Sequence, residues 1–225
     1  MISGTPGSET SLWESFRLVP ERGDGCTRRY LIEMAVITTD RLKLPLMFDP
    51  RKLREELSLL RNIEWTDHFV KQNYEGNWSV IPLRAPVGET HVVRMIYPDP
   101  SCREFVDTPF LEGCPYFREV LAAIPVPMGA VRLMKLAAGS VIREHRDHDL
   151  AYEHGFIRLH IPVITNPDVE FLLNGERVVM NPGECWYLRL SDPHAVANRG
   201  HEERIHLVID AEVNEWISGS MKYER

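Results

Sequence analysis

Two histidines and an aspartate stand out because their types and spacing suit a metal ion. His145 and Asp147 are two residues apart, just after the turn at 138–140, where we expect a strand. Side chains alternate along a strand, so both would project from one face. His194 follows a strand-like run and a Pro-containing turn and is the candidate third ligand. Two histidines and a carboxylate form the facial triad that binds Fe(II) and leaves coordination positions open.

The His-x-Asp pair is a weak signal by itself. A solvated turn built from Arg143, Glu144 and Arg146 would give the same pattern. Arg204 strengthens the metal interpretation, because it opens a strand-like run ten residues after His194. An arginine at that position, pointing into a barrel, could bind a carboxylate through two parallel hydrogen bonds.

Arg158 and His160 form a second polar pair, within the strand-like run 156–164. They are two residues apart and share a face, among apolar neighbours. If they point inward, they need an anionic partner. The alternative is that Arg158 lies on the surface and His160 is a hydrogen-bonded core histidine.

Short strands must position these residues. After Pro127 the chain consists of β-rich runs separated by turns, and Asn174-Gly175 is typical of a two-residue hairpin turn. This spacing predicts a mainly β fold, a barrel or jelly roll, with supporting helices. The predicted strands of this part are 131–136, 156–164, 169–173, 184–190 and 205–209.

The first half of the chain is predicted to be mixed. Leu53, Leu57 and Leu60 have helical spacing, so an amphipathic helix is expected over 50–63. A second helix is expected over 115–123. Strands are expected over 78–84 and 90–97.

The domain organisation follows from composition. Residues 1–33 are rich in Gly, Ser, Pro and charge and are interpreted as an extension, with Met34 as a possible natural start. Residues 34–225 would form one domain, with its β core at about 127–211.

Composition limits the function classes. A net charge of −7 gives no basic excess for phosphate backbones, so no nucleic-acid partner is expected. No apolar run is long enough to span a membrane, and no secretion signal is visible. The four cysteines are widely spaced, which suits free thiols in a reducing cytoplasm. The pattern carries no signal for an oligomeric state.

The stretch from 134 to 210 resembles the aspartyl/asparaginyl β-hydroxylase family, which includes bacterial proline cis-hydroxylases. The resemblance depends on several motifs in the same order and spacing. These are His145-x-Asp147, Arg158-Leu-His160, Gly183-Glu-x-Trp186, Pro193-His194 and Arg204-x-His-Leu-Val-x-Asp210. A serine that helps hold the cosubstrate in animal members is replaced near Met134 in this sequence.

The resemblance implies a double-stranded β-helix, a cupin-like jelly roll, that binds Fe(II) and 2-oxoglutarate. His145, Asp147 and His194 would hold the iron, and Arg204 would bind the distal carboxylate of 2-oxoglutarate. Arg158 and His160 would lie near the other end of that molecule. The implied activity is hydroxylation of an amino acid, an amino-acid derivative or a peptidyl residue.

Two questions remain open from the sequence. A small substrate would need its own cation. Arg84 is the candidate, with Trp78 as an apolar wall. The alternative is that Trp78 lies in the core and Arg84 is solvated.

The rival function is a cupin-type metal-dependent binding protein or sensor without hydroxylase activity. A cupin motif would normally place a second histidine where this chain has Asp147, and it would give Arg204 no role.

Overall fold

The computed structural model describes residues 39–96, 102–147 and 150–222, and most of the regular structure in these ranges is β. The strands are β1 (Arg41–Met47), β2 (Thr66–Asp67), β3 (Tyr74–Glu75), β4 (Trp78–Pro86), β5 (Phe105–Asp107), β6 (Met128–Leu136), β7 (Val141–His145), β8 (Phe156–Ile164), β9 (Val169–Leu173), β10 (Glu176–Arg177), β11 (Glu184–Leu188), β12 (His194–Asn198) and β13 (Arg204–Glu212). The helices are α1 (Pro50–Leu59), α2 (Val92–Ile96), α3 (Pro109–Glu112), α4 (Pro115–Ala122) and α5 (Glu215–Lys222).

Two sheets face each other. In the described ranges the larger sheet has the order β1-β11-β8-β13-β6-β4-β2, with β5 paired to β4, and the smaller has the order β10-β9-β12-β7-β3. Apolar side chains of both sheets, among them Met134 and Val208 of the larger and Phe171 and Val196 of the smaller, pack into one cluster. This is the predicted double-stranded β-helix.

The helices support the outer face of the larger sheet. Leu53 of α1, Phe117 of α4 and Ile217 of α5 are fully buried in one cluster with Leu133 and Leu207 of the sheet. Because alternate residues of a strand face opposite sides, β6 and β13 contribute to both clusters. The helices therefore cover one face of the larger sheet, and its opposite face is left for the candidate functional site.

Most predicted elements are present. The helix predicted over 50–63 begins at Pro50, after Asp49 accepts a hydrogen bond from the backbone N–H of Arg51, but it ends at Leu59. The predicted hairpin joins β9 to β10, and Asn174 has a φ of 53° and Gly175 a φ of 77°. Both values lie in the left-handed region that this turn requires.

The strand predicted over 90–97 is wrong, since residues 92–96 form helix α2. A carboxylate oxygen of Glu89 accepts hydrogen bonds from the backbone N–H groups of Thr90 and His91, and the His91 carbonyl then accepts from Arg94 and Met95. A short apolar run does not distinguish strand from helix by itself, and this local cap decides in favour of the helix.

All described residues lie in one compact unit, which covers residues 36–225. The extension predicted for 1–33, and with it Met34, lies outside the described residues.

Candidate metal and carboxylate site

The structure brings His145, Asp147 and His194 together. His145 ends β7 and His194 begins β12, and these residues are direct partners in the antiparallel register. One possible ligand atom from each of the three residues lies within 4.8 Å of those of the other two. The strand itself differs from the prediction, because β7 ends at His145 and Asp147 follows it. Asp147 is positioned by its backbone N–H, which donates to the Leu190 carbonyl at 2.8 Å.

Both imidazoles are oriented by their own chain. Nδ1 of His145 lies 2.8 Å from the Arg143 carbonyl, and Nδ1 of His194 lies 3.0 Å from the Asp192 carbonyl. A carbonyl oxygen can only accept a hydrogen bond, so Nδ1 carries the proton and donates it, and Nε2 keeps its lone pair for a metal. Burial lowers the pKa of His194 to about 4, which keeps the ring in the neutral, metal-binding form near neutral pH. This donor set fits a divalent metal such as Fe(II).

A charged cluster holds the carboxylate of Asp147. Arg158 donates from Nη1 to Oδ2 of Asp147 at 2.6 Å and from Nε to Oδ1 of Asp210 at 2.5 Å. Arg132 pairs with the other oxygen of Asp210. Burial alone would raise the pKa of Asp210, but the charges of Arg132 and Arg158 outweigh it and hold that pKa far below its usual range. Asp210 therefore stays ionised and fixes both guanidinium groups.

Sequence reasoning gave Arg132 and Asp210 no role in the site. A signal was available for Arg132, because it is a charged residue on a strand face that otherwise carries Met128, Ala130, Met134 and Leu136.

Arg204 is a second buried arginine near the site, and it differs from Arg132 in its lack of a carboxylate partner among the described residues. Its side chain is 2% exposed, its Nη2 contacts Nδ1 of His206 at 2.8 Å, and its Nε has no hydrogen-bond partner among the described residues. Those residues give it no carboxylate partner either, and burial lowers its pKa to about 9. Leaving a cation unpaired in a protein interior costs several kcal/mol, so the position suits an anionic ligand.

The surroundings of Arg204 leave room for such a ligand. Arg204 and His206 reach a cavity of about 300 Å³. Phe171 also lines this cavity, and its ring lies 6.0 Å from the Arg204 guanidinium and 6.4 Å from the ring of His194, a candidate metal ligand. His160 lies beside them, its Nδ1 3.4 Å from that of His206 and its Nε2 without a partner in the described part of the chain.

The structure gives Trp78 and Arg84 other contacts. Trp78 is buried and stacks on His68. Arg84 pairs with Asp107 and donates to the Phe105 carbonyl at 3.0 Å. The charge of Arg84 is therefore matched inside the protein, and its role toward a substrate stays a prediction.

No helix within the described residues has the length and apolar character needed to cross a membrane.

The fold is similar to that of a solved oxygenase. An oxidoreductase of the 2OG-Fe(II) oxygenase family from Burkholderia pseudomallei matches with a TM-score of 0.51 and 15% identity, over 78% of this chain and 86% of the other. At this identity the likeness shows the fold alone.

The sequence comparison identifies the family. The chain belongs to the aspartyl/asparaginyl beta-hydroxylase family, whose model matches residues 48–213. A curated relative, L-proline cis-4-hydroxylase of Rhizobium meliloti (strain 1021), is 28% identical over 169 residues, or 73% of this chain. The match spans 58% of that relative's length.

Proposed function

We propose that the protein is an Fe(II)- and 2-oxoglutarate-dependent dioxygenase that hydroxylates a free amino acid or a close derivative. One observation carries the proposal. One possible ligand atom from each of His145, Asp147 and His194 lies within 4.8 Å of the other two, and Arg204, buried and without a carboxylate partner in the described residues, lies on the facing sheet. A divalent metal would bind the converging ligand atoms. A dicarboxylate cosubstrate would bind this metal at one end and the buried arginine at the other.

Each residue then has a defined task. His145, Asp147 and His194 would hold Fe(II), and Arg158 would keep one oxygen of Asp147 turned away from the metal. Arg204 would bind the distal carboxylate of 2-oxoglutarate. When bound, Fe(II) and 2-oxoglutarate supply oxidation of a C–H bond to C–OH by O₂, with release of succinate and CO₂. The apolar cluster around Phe171 would exclude water from this space.

A small substrate is supported by the space beside His145, one of the candidate metal ligands. A cavity of about 330 Å³ borders His145, together with Glu144, Arg146 and Pro193. A volume of this order suits a small molecule. The curated relative is by its name an L-proline hydroxylase, so free amino acids are the first compounds to test.

The experiment is a succinate-release screen with added Fe(II), 2-oxoglutarate and O₂. Free amino acids, N-acyl amino acids and folded protein domains are compared, with His194→Ala as the inactive control. We expect release that depends on a free or acylated amino acid. Activity confined to folded domains would refute the small-substrate proposal. Ligand binding without any succinate would favour the cupin-type binding protein instead.

Arg84 and Trp78 remain the proposed contacts for a substrate carboxylate and its apolar part. Arg84→Ala should raise the KM for the amino acid that gives most succinate. Because Asp107 already pairs with Arg84, Asp107→Asn serves as a control that frees the cation. Unchanged kinetics in Arg84→Ala would remove Arg84 from the site.

A further inference from the structure

His206 is a buried histidine to which the proposed function gives no task, and it lies beside the arginine that the cosubstrate would need. Its side chain is 1% exposed. Arg204 and His206 are two residues apart on β13, so both side chains project from the same face of the larger sheet. Both residues also line the cavity of about 300 Å³. His206 is therefore placed to act on Arg204 at the wall of this cavity.

The contact between these two side chains has a fixed direction. Nη2 of Arg204 lies 2.8 Å from Nδ1 of His206. A guanidinium group has only N–H donors, so Nδ1 of His206 accepts and the proton of the neutral imidazole lies on Nε2. Burial and then the positive charge of Arg204 hold the pKa of His206 well below its usual range. The acceptor is therefore available near neutral pH.

The neighbours of His206 hold its ring in place. The His160 ring lies across it, with a centroid distance of 5.6 Å and an interplanar angle of 74°. The Nδ1 atoms of the two rings are 3.4 Å apart, and a hydrogen bond between them can only be donated by His160, because Nδ1 of His206 carries no proton. Met134, which is itself buried, is the partner of His206 in the register of β6 and β13. The ring therefore has little room to turn away from Arg204.

Arg204 has few other anchors. Within the described residues, the contact with His206 is the one hydrogen bond found for its guanidinium group, and its Nε has no partner. A long arginine side chain loses rotamer freedom when it binds a ligand. A side chain that is already held in the binding conformation avoids part of this cost, so binding is tighter.

We propose that His206 is a positioning residue, whose Nδ1 accepts from Nη2 of Arg204 and so holds the guanidinium group ready for the distal carboxylate of 2-oxoglutarate. This inference rests on the proposed function and adds to it the residue that orients the cosubstrate-binding cation. The Nε–H of Arg204 is left to donate to the carboxylate.

The test combines two substitutions of His206 with two ligands. His206→Asn keeps an oxygen acceptor near the position of Nδ1, whereas His206→Leu keeps a buried side chain of similar size without an acceptor. Leu207→Val, on the opposite face of the same strand, is the control for altered packing. The ligands are 2-oxoglutarate and 2-oxopentanoate, which has the same chain length but ends in a methyl group instead of the distal carboxylate. Binding is measured by titration of full-length protein loaded with Ni(II), which does not turn over.

His206→Leu should weaken the binding of 2-oxoglutarate about three- to tenfold, because the ligand must then order Arg204 itself. His206→Asn should stay within about twofold of the wild type, as expected when one neutral acceptor replaces another. The affinity for 2-oxopentanoate should be the same in all variants. Unchanged 2-oxoglutarate binding in His206→Leu would overturn the proposal. Equal losses for both ligands, or in both His206 variants, would also overturn it, since the shape of the site would then be responsible.

A second readout needs no ligand. In ¹⁵N NMR of the histidine side chains, the wild-type signal that is missing from His206→Asn should report a proton on Nε2 and none on Nδ1. A proton on Nδ1 would overturn the proposal, because Arg204 could not donate to that atom. Failure of the proposed function looks different, because wild-type protein would then bind no 2-oxoglutarate and release no succinate.

Discussion

At the scale of single residues, His145, Asp147 and His194 stand out among the described residues because their possible ligand atoms lie within 4.8 Å of one another. Replacing His145, Asp147 or His194 with Ala should abolish tight Fe(II) binding and turnover, because two protein ligands rarely hold a divalent metal tightly. Calorimetric titration with Fe(II) under anaerobic conditions measures this. His154→Ala, at an exposed position, is the control; His148, also expected to tolerate Ala, lies outside the described residues. Equal losses in His154→Ala would contradict the assignment.

Arg204 permits a second prediction at this scale. Arg204→Lys should weaken 2-oxoglutarate binding about tenfold to a hundredfold, since one charge-assisted contact of a forked pair is worth about 1.5–3 kcal/mol. Fe(II) binding should be largely retained. Arg177→Lys is a suitable control, because Arg177 lines the same cavity but donates to the backbone carbonyls of Pro167 and Val169. An unchanged 2-oxoglutarate titration would exclude Arg204 from the site.

At the scale of elements, Asp210 joins three adjacent strands. It lies on β13 between Arg132 of β6 and Arg158 of β8, and it pairs with both. Asp210→Asn would leave two largely buried cations without their shared anion, so the free energy of unfolding should fall by about 3 kcal/mol. Asp107→Asn, which removes a more exposed partner from Arg84, should cost less than about 1 kcal/mol. Urea unfolding of both variants measures the difference.

The loss of stability in Asp210→Asn, relative to wild type, should depend on pH in a defined direction. The folded-state pKa of Asp210 is lowered, so its stabilisation is fully present above the ordinary aspartate pKa of about 3.9. This stabilisation is lost only as the pH falls below the ordinary aspartate pKa and through the lowered folded-state pKa of Asp210. The gap between wild type and Asp210→Asn should therefore be constant from about pH 5 to 8. A gap that closes within this window would show that Asp210 is not held by the two arginines.

At the scale of the whole molecule, a bound metal would join two strands of the smaller sheet. His145 and Asp147 belong to β7 and the residues after it, and His194 belongs to β12. A ligand at a hundred times its Kd stabilises by about 2.7 kcal/mol, which corresponds to a rise in Tm of roughly 5–10 °C for a domain of this size. Protein with Fe(II) should therefore melt higher than protein in EDTA. The same comparison in His194→Ala should show no rise, and a rise there would place the metal elsewhere.

The sequence by itself determined the class of fold and the most informative residues. Alternation predicted the strand that carries Arg158 and His160, Asn174-Gly175 predicted the hairpin, and Arg204 was expected where β13 begins. These features depend on side-chain periodicity and on backbone conformations favoured by particular residues, which are local properties of a chain. Order and spacing along the chain also carried the family resemblance, and the family assignment confirms it.

Only the tertiary structure decided which charges and donors meet. Periodicity tells which face of a strand a side chain takes, but it does not tell which strand lies beside it. The register of β6, β13 and β8 brings Arg132 and Arg158 to Asp210. The pairing of β2 with β4 places His68, the residue that follows β2, against the ring of Trp78. Charge pairing and pKa depend on these distances and on burial, so they follow from the packed sheets rather than from spacing along the chain.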